Sequence, residues 1–258
     1  MDLQLRDRRA IVTGGSRGIG RAIARALLAE GAHVVIAARD ADALKAAAAQ
    51  LAAQTAGTVI PVLADTGSDE SVRALVVRAV DELGGVDILV NNAARPGGAA
   101  SPGGVTTLPT AAVAEDFNVK VLGYLRTAQA VTPHFVAQRW GRIINIGGLS
   151  ARQVGLASAS IRNIGVAALT KTLADELGPH GVTVNVVHPG LTRTDGYDGT
   201  MGLTDENRAA AAANTAIRRV VTADEVAAVV TFLASPLAVA ITGESIAAGG
   251  GAPGPIHY

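Results

Sequence analysis

Short apolar runs alternate with helical patterns along the chain, and this alternation restricts the fold more than any other feature. Seven runs predict strands, at 9–14, 32–39, 58–65, 86–93, 141–148, 182–190 and 244–250. Between them, apolar residues recur at helical spacing. Such alternation gives a parallel sheet with helices on both faces, its strands buried on both sides. We therefore predict an α/β fold, a single doubly wound parallel sheet forming one domain over residues 1–258.

In doubly wound sheets, ligands bind beyond the carboxyl ends of the strands. The residues expected to line this cleft therefore follow Val12, Ala38, Leu63, Val90, Ile146 and Val187. A polar segment, about 191–215, comes after the sixth strand and is predicted to form a substrate loop over the cleft.

Composition removes several classes of function. The 22 basic and 22 acidic residues cancel and form no basic run, so we predict no nucleic-acid or membrane partner. The chain has no cysteine, and its five histidines lack ligand spacing, so we predict no metal site. The N-terminus is too charged for a signal peptide and no apolar run reaches the ~20 residues of a membrane span, which predicts a cytoplasmic protein.

A glycine-rich turn, "VTGGSRGIG" at 12–20, lies between the first strand and the first helix. Its glycines allow close backbone approach, and the following helix points free N–H groups at an anion. A dinucleotide pyrophosphate fits this position, although the glycines could simply form a short turn. Residues 14–18 also match G-x-S-x-G, the nucleophile elbow of α/β-hydrolases. Asp175 or Asp195 with His188 would then complete a triad, but no spacing supports these roles.

The end of the second strand bears on the choice of dinucleotide. A site selective for the ribose 2′-hydroxyl places a carboxylate here, whereas this chain has Ala38 and Arg39. Arg39, together with Arg17, suits a 2′-phosphate, and the alternative is a solvated surface arginine. Asp40 is predicted to cap the following helix. The pattern favours NADP(H) over NAD(H).

The chain resembles the short-chain dehydrogenase/reductase family over essentially its full length. The matching motifs are T-G-x-x-x-G-x-G at 13–20, Asp65 after the third strand, N-N-A-A at 91–94, Asn118 in D-F-N-V-K, G-R-I-I-N-I at the fifth strand, P-G-x-x-x-T at 189–194 and the closing strand I-T-G-E-S-I-A-A-G-G-G. The resemblance implies a Rossmann fold and a cofactor site. Its residues would be Gly14, Ser16, Arg17 and Ile19 at the phosphates, Asp65 at the adenine, Asn91 and Ala93 at the adenosine ribose, and Pro189, Gly190, Thr192 and Thr194 at the nicotinamide.

The resemblance breaks at the catalytic residues. The family uses a tyrosine that transfers the proton, a lysine one turn later, a serine and an asparagine. By the resemblance, Gly148 stands at the serine position, Ala159 at the tyrosine, Asn163 at the lysine, and Asn118 alone is retained. None of the three tyrosines or three lysines falls between 141 and 170. Since a positioned general acid contributes about 10²–10⁴ in rate, we expect slow reduction of ordinary ketones.

A few side chains are candidate substitutes. Asn163 could hydrogen-bond the ribose, and Ser150 and Ser160 are nearby hydroxyls without an evident base. Arg152 and Arg162 could stabilise an oxyanion or could face solvent or a second subunit. His188 could titrate at the cleft rim or simply pack, and Tyr197 in the polar loop could cover the pocket.

Three functions follow from these observations. The first is an NADPH-dependent reductase of an activated acceptor, such as a quinone, an iminium or a polarised carbonyl, in specialised metabolism. The second is a non-redox cyclase, isomerase or dehydratase that reuses the pocket. The third is an inactive cofactor-binding subunit that forms a hetero-oligomer with an active paralogue. The family's usual assembly implies a homotetramer, with a homodimer as the alternative.

Overall fold

The computed structural model describes residues 1–55, 57–95, 103–194, 204–251 and 253. Seven parallel strands form the central sheet: β1 Arg9–Thr13, β2 His33–Ala38, β3 Val59–Leu63, β4 Ile88–Asn91, β5 Gly141–Ile146, β6 Val182–Pro189 and β9 Ser245–Ala248. Their spatial order is β3-β2-β1-β4-β5-β6-β9. A small parallel pair, β7 Thr192–Arg193 and β8 Val221–Thr222, forms a second sheet that the sequence did not predict. The predicted doubly wound parallel sheet is confirmed.

Eight α-helices lie in the described part of the chain: α1 Gly18–Ala29, α2 Ala41–Gln54, α3 Asp69–Leu83, α4 Thr110–Phe117, α5 Gly123–Gln138, α6 Ala157–Leu177, α7 Asp205–Ala213 and α8 Ala223–Ala234. A π-helical turn, Asn118–Leu122, joins α4 to α5. This turn shifts the helical register between α4 and α5 and so changes which side chains face the sheet. None of the described helices is both long and apolar enough to cross a membrane.

The sheet has a hydrophobic core on each face. Ile23, Leu27 and Val230 pack on one face through α1 and α8, and Phe135 and Leu173 pack on the other through α5 and α6. The inner strands are therefore buried on both sides, as predicted.

The outermost strand, β3, departs from that pattern. Leu63 is 61% exposed, and Pro61 lacks the N–H group that a further strand would need. The prediction that every strand is buried on both faces is wrong for the two edge strands, β3 and β9, because residues at the rim of the sheet are covered less than those in its middle.

The order of the strands determines where a ligand can bind. From β1 the chain winds outward through β2 and β3, and it then returns to β4 on the other side of β1. Such a reversal opens a crevice at the carboxyl ends of the two adjacent strands. The loops after β1 and β4 meet at this point.

Candidate active site

The glycine-rich turn after β1 forms a close-packed cradle at the start of α1. A Cβ on Gly20 would lie 2.2 Å from the Gly14 carbonyl oxygen, and Gly14 itself has φ +65°. Only glycine fits both requirements without a shift of the backbone. Arg17, the N-cap residue of α1, makes no capping hydrogen bond with its side chain, and the first turn has no acidic residue. The turn therefore fits an anionic group bound by the helix N-terminus.

The loop after β4 is fastened to this turn. The Thr13 hydroxyl oxygen accepts hydrogen bonds from the backbone N–H groups of Asn92 (3.0 Å) and Ala93 (3.1 Å). The Asn92 amide donates in return to the carbonyl oxygens of Thr13 and Gly14, at 3.0 and 3.1 Å. The structure thus brings Ala93 against Gly14.

The Asn91 side chain is used inside the protein. Its Oδ1 accepts from the Thr127 hydroxyl (2.6 Å) and its Nδ2 donates to Asn145 Oδ1 (3.0 Å). The residue is fully buried. Its side-chain amide joins β4, β5 and α5, and the role of Asn91 at the adenosine ribose stays a prediction. A polar side chain within an apolar strand can face either a ligand or another strand, and the motif alone does not distinguish the two.

The ends of β2 and β3 present polar groups at the same edge of the sheet. Arg39 and Arg17 are exposed, and neither is paired with a carboxylate among the described residues. Asp40 caps α2 by accepting the N–H of Ala43 at 3.0 Å, which confirms that prediction. Asp65 accepts the N–H of Gly67 at 2.9 Å and stays partly exposed.

The segment after β6 also reaches the glycine-rich turn. The methyl group of Thr194 lies 3.6 Å from where a Cβ on Gly18 would stand. Thr192 is buried and donates its hydroxyl to the Gly190 carbonyl at 2.9 Å. Ser16 and Ile19 are partly buried in the turn, and Ile19 packs against the core below. Tyr197 lies outside the described residues.

A cleft of about 330 Å³ adjoins this segment. Its lining includes Leu149, Gln153, Gly190, Leu191, Asn214 and Val220. None of the described lining residues is charged. The cleft therefore suits an uncharged organic molecule more than an anion.

Gly148 and Asn163 occupy shared space beside the cleft. A Cβ on Gly148 would lie 2.7 Å from Asn163 Nδ2. The buried Asn163 amide uses this space and donates to the Ser150 hydroxyl oxygen at 2.7 Å. Ala159 is buried one turn earlier on α6, and Ser160 is partly exposed with no hydrogen bond from its hydroxyl to another described residue. The missing side chain at position 148 is what admits the asparagine amide.

The side chain of Asn118 forms its hydrogen bonds away from Gly148, Asn163 and Ser150. Its Oδ1 accepts from Arg126 (2.8 Å), and its Nδ2 points to the Gly67 carbonyl (3.5 Å), beside the end of β3. The role of Asn118 as the retained catalytic residue stays a prediction. Two residues further along the same π-helical turn, Lys120 is buried. Lys120 Nζ donates to Asn163 Oδ1 (2.8 Å) and to the Gly147 carbonyl (2.9 Å). The sequence signal for Lys120 was a single lysine within the apolar stretch "VKVL".

The charge of Lys120 is set by its surroundings. Burial, and then the positive charge of Arg162, lowers the pKa of Lys120 to about 7, and Asp116 opposes this change. Asp116 is 1% exposed and pairs with Arg162, which is 6% exposed, and also accepts from the Ser158 hydroxyl. Arg162 therefore faces neither solvent nor a second subunit. It is part of a buried ion pair that joins α4 to α6.

His188 is attached to the backbone rather than free to titrate. Its Nδ1 lies 3.1 Å from the backbone nitrogen of Gly148. Burial, and then the charge of Arg152, lowers the pKa of His188 to about 4. The imidazole is therefore neutral at pH 7 and cannot serve as the missing acid. Arg152 itself donates to the Ser245 carbonyl.

Comparisons with known proteins identify the family. Residues 14–252 match the family model described as enoyl-(acyl carrier protein) reductase. The 3-oxoacyl-[acyl-carrier-protein] reductase FabG of Vibrio cholerae is 36% identical, over 96% of this chain and 98% of its own. The match rules out the α/β-hydrolase alternative for residues 14–18.

Solved structures agree with this match. A short-chain dehydrogenase from Burkholderia cenocepacia in complex with NADP is 34% identical with a TM-score of 0.83, covering 96% of this chain and 98% of its own. L-sorbose reductase from Gluconobacter frateurii, complexed with NADPH and L-sorbose, is 28% identical with a TM-score of 0.91, covering 99% of this chain and all of its own (100%). The chain therefore belongs to the short-chain dehydrogenase/reductase family.

Proposed function

We propose that the protein is an NADP(H)-dependent reductase of an uncharged, electron-poor acceptor, such as a quinone, an iminium or a polarised carbonyl, in specialised metabolism. The observation that carries the proposal is the pairing of a complete nucleotide cradle at β1–α1 with an α6 whose start offers no tyrosine. The cradle keeps hydride chemistry available, and the missing acid restricts the acceptors that can use it.

The preference for NADP(H) is supported by the end of β2. Arg39 is exposed at the position where a carboxylate would select the ribose 2′-hydroxyl. Arg17 is exposed in the glycine-rich turn. Two guanidinium groups without a carboxylate partner among the described residues suit a phosphate monoester. The relatives solved with NADP and NADPH are consistent with this preference.

The choice of acceptor is supported by the residues beside the cleft. Gly148, Ala159 and Asn163 provide no group that donates a proton to a ketone oxygen. A general acid contributes about 10²–10⁴ in rate, so a plain ketone loses this much relative to an acceptor that stabilises its own negative charge. The cleft lining, uncharged among the described residues, agrees with a neutral acceptor.

Bound NADPH would supply the hydride. The chain's own residues therefore have to bind the cofactor, orient it and polarise the acceptor. The turn at Gly14–Gly20 would hold the phosphates through backbone N–H groups. Thr192 and Thr194 would position the nicotinamide end. Asn163 already uses one of its two amide hydrogens and one oxygen lone pair within the protein. The second amide hydrogen and the second lone pair of Oδ1 are left for a ribose hydroxyl.

The first experiment is a fluorescence titration with NADPH and with NADH, followed by stopped-flow NADPH oxidation with a quinone panel and a ketone panel. We expect tighter binding of NADPH and faster reduction of quinones. Arg73→Ala, on the exposed face of α3, is the matched control for Arg39→Ala. Failure to bind either dinucleotide would refute the proposal, and product formation without added NADP(H) would favour the non-redox alternative.

For assembly, we propose a homotetramer or a homodimer through the outer faces of α5 and α6. Leu122, Ile161 and Ile164 are apolar and exposed there. A set of apolar side chains on neighbouring helices is typical of a subunit contact. Light scattering of the purified chain tests this directly: a monomer that joins only an active paralogue would instead favour the inactive-subunit hypothesis.

A further inference from the structure

Lys120 enters the site from an unusual direction. It comes from the π-helical turn Asn118–Leu122, not from α6, and it is only 3% exposed. Both of its hydrogen bonds go to oxygen atoms, Asn163 Oδ1 and the Gly147 carbonyl. π-turns recur at functional sites because they redirect one side chain. A buried ammonium group with two neutral acceptors is costly for a purely structural residue.

The contact continues from Asn163 to the cleft. Asn163 Nδ2 donates to the Ser150 hydroxyl oxygen at 2.7 Å. That oxygen is an acceptor in this bond, so its own O–H remains available to donate. Ser150 is partly exposed and lies next to Leu149, which lines the cleft. A chain of three side chains therefore runs from a buried amine to the hydroxyl of Ser150, the residue that follows the cleft-lining Leu149.

Other charged groups face the same amine. Asp116 approaches from α4 and Arg162 from α6, and these two form the buried ion pair. His188 on β6 is neutral, and Lys120 is one of the charges that keep it so. The charged groups at this position are therefore one carboxylate, one guanidinium and the amine of Lys120.

We propose that Lys120 supplies the positive charge of this active site and that Asn163 carries its effect to the Ser150 hydroxyl, which contacts the reacting oxygen of the substrate. Ser150 is then the catalytic residue, and Lys120 and Asn163 are positioning residues. This inference rests on the proposed reductase function.

The proposed step balances in electrons and protons. When the substrate carbon accepts a hydride, the electron pair of its double bond moves to the oxygen, and NADP⁺ is left. The Ser150 O–H donates a hydrogen bond to that oxygen as its negative charge grows. Lys120 polarises the Asn163 amide and so makes Ser150 a stronger donor. For a carbonyl acceptor, solvent water supplies the proton that completes the alcohol.

The kinetic test compares four variants with wild type: Lys120→Met, Lys120→Arg, the exchange Lys120→Asn with Asn163→Lys, and Lys45→Met as the exposed control. We expect Lys120→Met to lower kcat roughly 100-fold with little change in the KM for NADPH, at the lower end of the ~10²–10³ found for a lost transition-state donor. The exchange variant returns the charge to the same contact and should recover most of the rate. Lys45→Met should behave as wild type.

The pH dependence of kcat distinguishes an effect of the Lys120 charge from an effect of its side-chain packing. Wild-type kcat should fall as the pH rises through about 7, because Lys120 then loses its proton. Lys120→Arg stays charged and should not show this fall, whereas Lys120→Met should be low at every pH. A merely structural lysine would give the same profile in all variants that fold.

A second readout does not need turnover. The chain has three lysines, of which Lys45 and Lys171 are exposed, so ¹³C-lysine NMR gives three assignable signals. Addition of NADP⁺ should shift the Lys120 signal and leave the other two in place. The variant Lys120→Met assigns the signal.

The outcomes are distinct. If wild type reduces acceptors and Lys120→Met matches it in rate and pH profile, the role of Lys120 is refuted and the proposed function stands. If wild type reduces nothing, the proposed function fails. An unmoved Lys120 signal in the presence of bound NADP⁺ would refute the inference independently.

Discussion

The buried ion pair between Asp116 and Arg162 gives the prediction with the largest expected effect on stability. Arg162→Met keeps most of the side-chain volume but removes the cation that pairs with the Asp116 carboxylate, which is 1% exposed and also accepts from the Ser158 hydroxyl. Breaking one side of a buried pair costs about 3–5 kcal/mol, since an uncompensated charge remains. For a chain of this size, that corresponds to a fall in Tm of roughly 6–20 °C.

The measurement is urea or thermal unfolding followed by circular dichroism. Arg78→Met is the matched control, because Arg78 pairs with Glu82 on the exposed surface of α3, and such pairs contribute about 0.5 kcal/mol or less. The double variant Asp116→Leu with Arg162→Met should recover much of the loss, because no charge is left buried. If Arg162→Met lost no more stability than Arg78→Met, the reasoning about this pair would be refuted.

Three further predictions follow. Arg39→Ala should weaken NADPH binding roughly 10–100-fold, the range for a lost charge-assisted hydrogen bond, and should leave NADH binding nearly unchanged in the same fluorescence titration. Gly20→Ala should lower the free energy of unfolding by about 1–3 kcal/mol, as thermal unfolding can measure. It should also weaken dinucleotide binding, because its Cβ would lie 2.2 Å from the Gly14 carbonyl oxygen. Stability should rise from pH 7 toward 10.5, since the unfolded state then holds a proton on Lys120 that the folded state lacks; the slope of the unfolding free energy should not exceed about 1.4 kcal/mol per pH unit for this residue.

Each of these has a clear counter-result. If Arg39→Ala lost the same affinity for NADPH and for NADH, Arg39 would attract both anionic dinucleotides and would not recognise the 2′-phosphate. Wild-type Tm in Gly20→Ala would mean that the turn relaxes freely. For the pH effect, Lys120→Met should flatten the slope between pH 7 and 10.5 while Lys45→Met keeps it, and an unchanged slope in Lys120→Met would contradict the account.

The sheet was predictable because its signal is repeated along the whole chain. Each inner strand is an apolar run that ends in glycine or a polar residue, and burial on both faces requires that composition. The sequence also located the edge strand β3. It did not predict the exposure of this strand, because residue type alone does not distinguish an exposed leucine such as Leu63 from a core leucine. The glycine-rich turn was also readable, because its backbone geometry admits no other residue at Gly14 and Gly20.

The polar interior was not predictable in the same way. Motif letters named Asn91 and Asn118 as site residues but did not reveal the partners of these side chains. Asn145 lies on the neighbouring strand β5, and Arg126 follows Asn118 on α5. Lys120 was missed because a π-turn shifts the helical register, and a lone lysine in an apolar stretch does not by itself indicate which way the side chain points. Side-chain direction depends on such shifts, so the identity of a catalytic group needs the three-dimensional contacts.

The measurement that tests the account most directly is the single-turnover rate of NADPH oxidation by the wild-type protein, with a quinone and with a plain aliphatic ketone under the same conditions. We predict rapid oxidation with the quinone and a rate lower by about 10²–10⁴ with the ketone, because the general acid is missing. Equally rapid reduction of the ketone would contradict the central claim that the site retains the dinucleotide cradle without a strong proton donor.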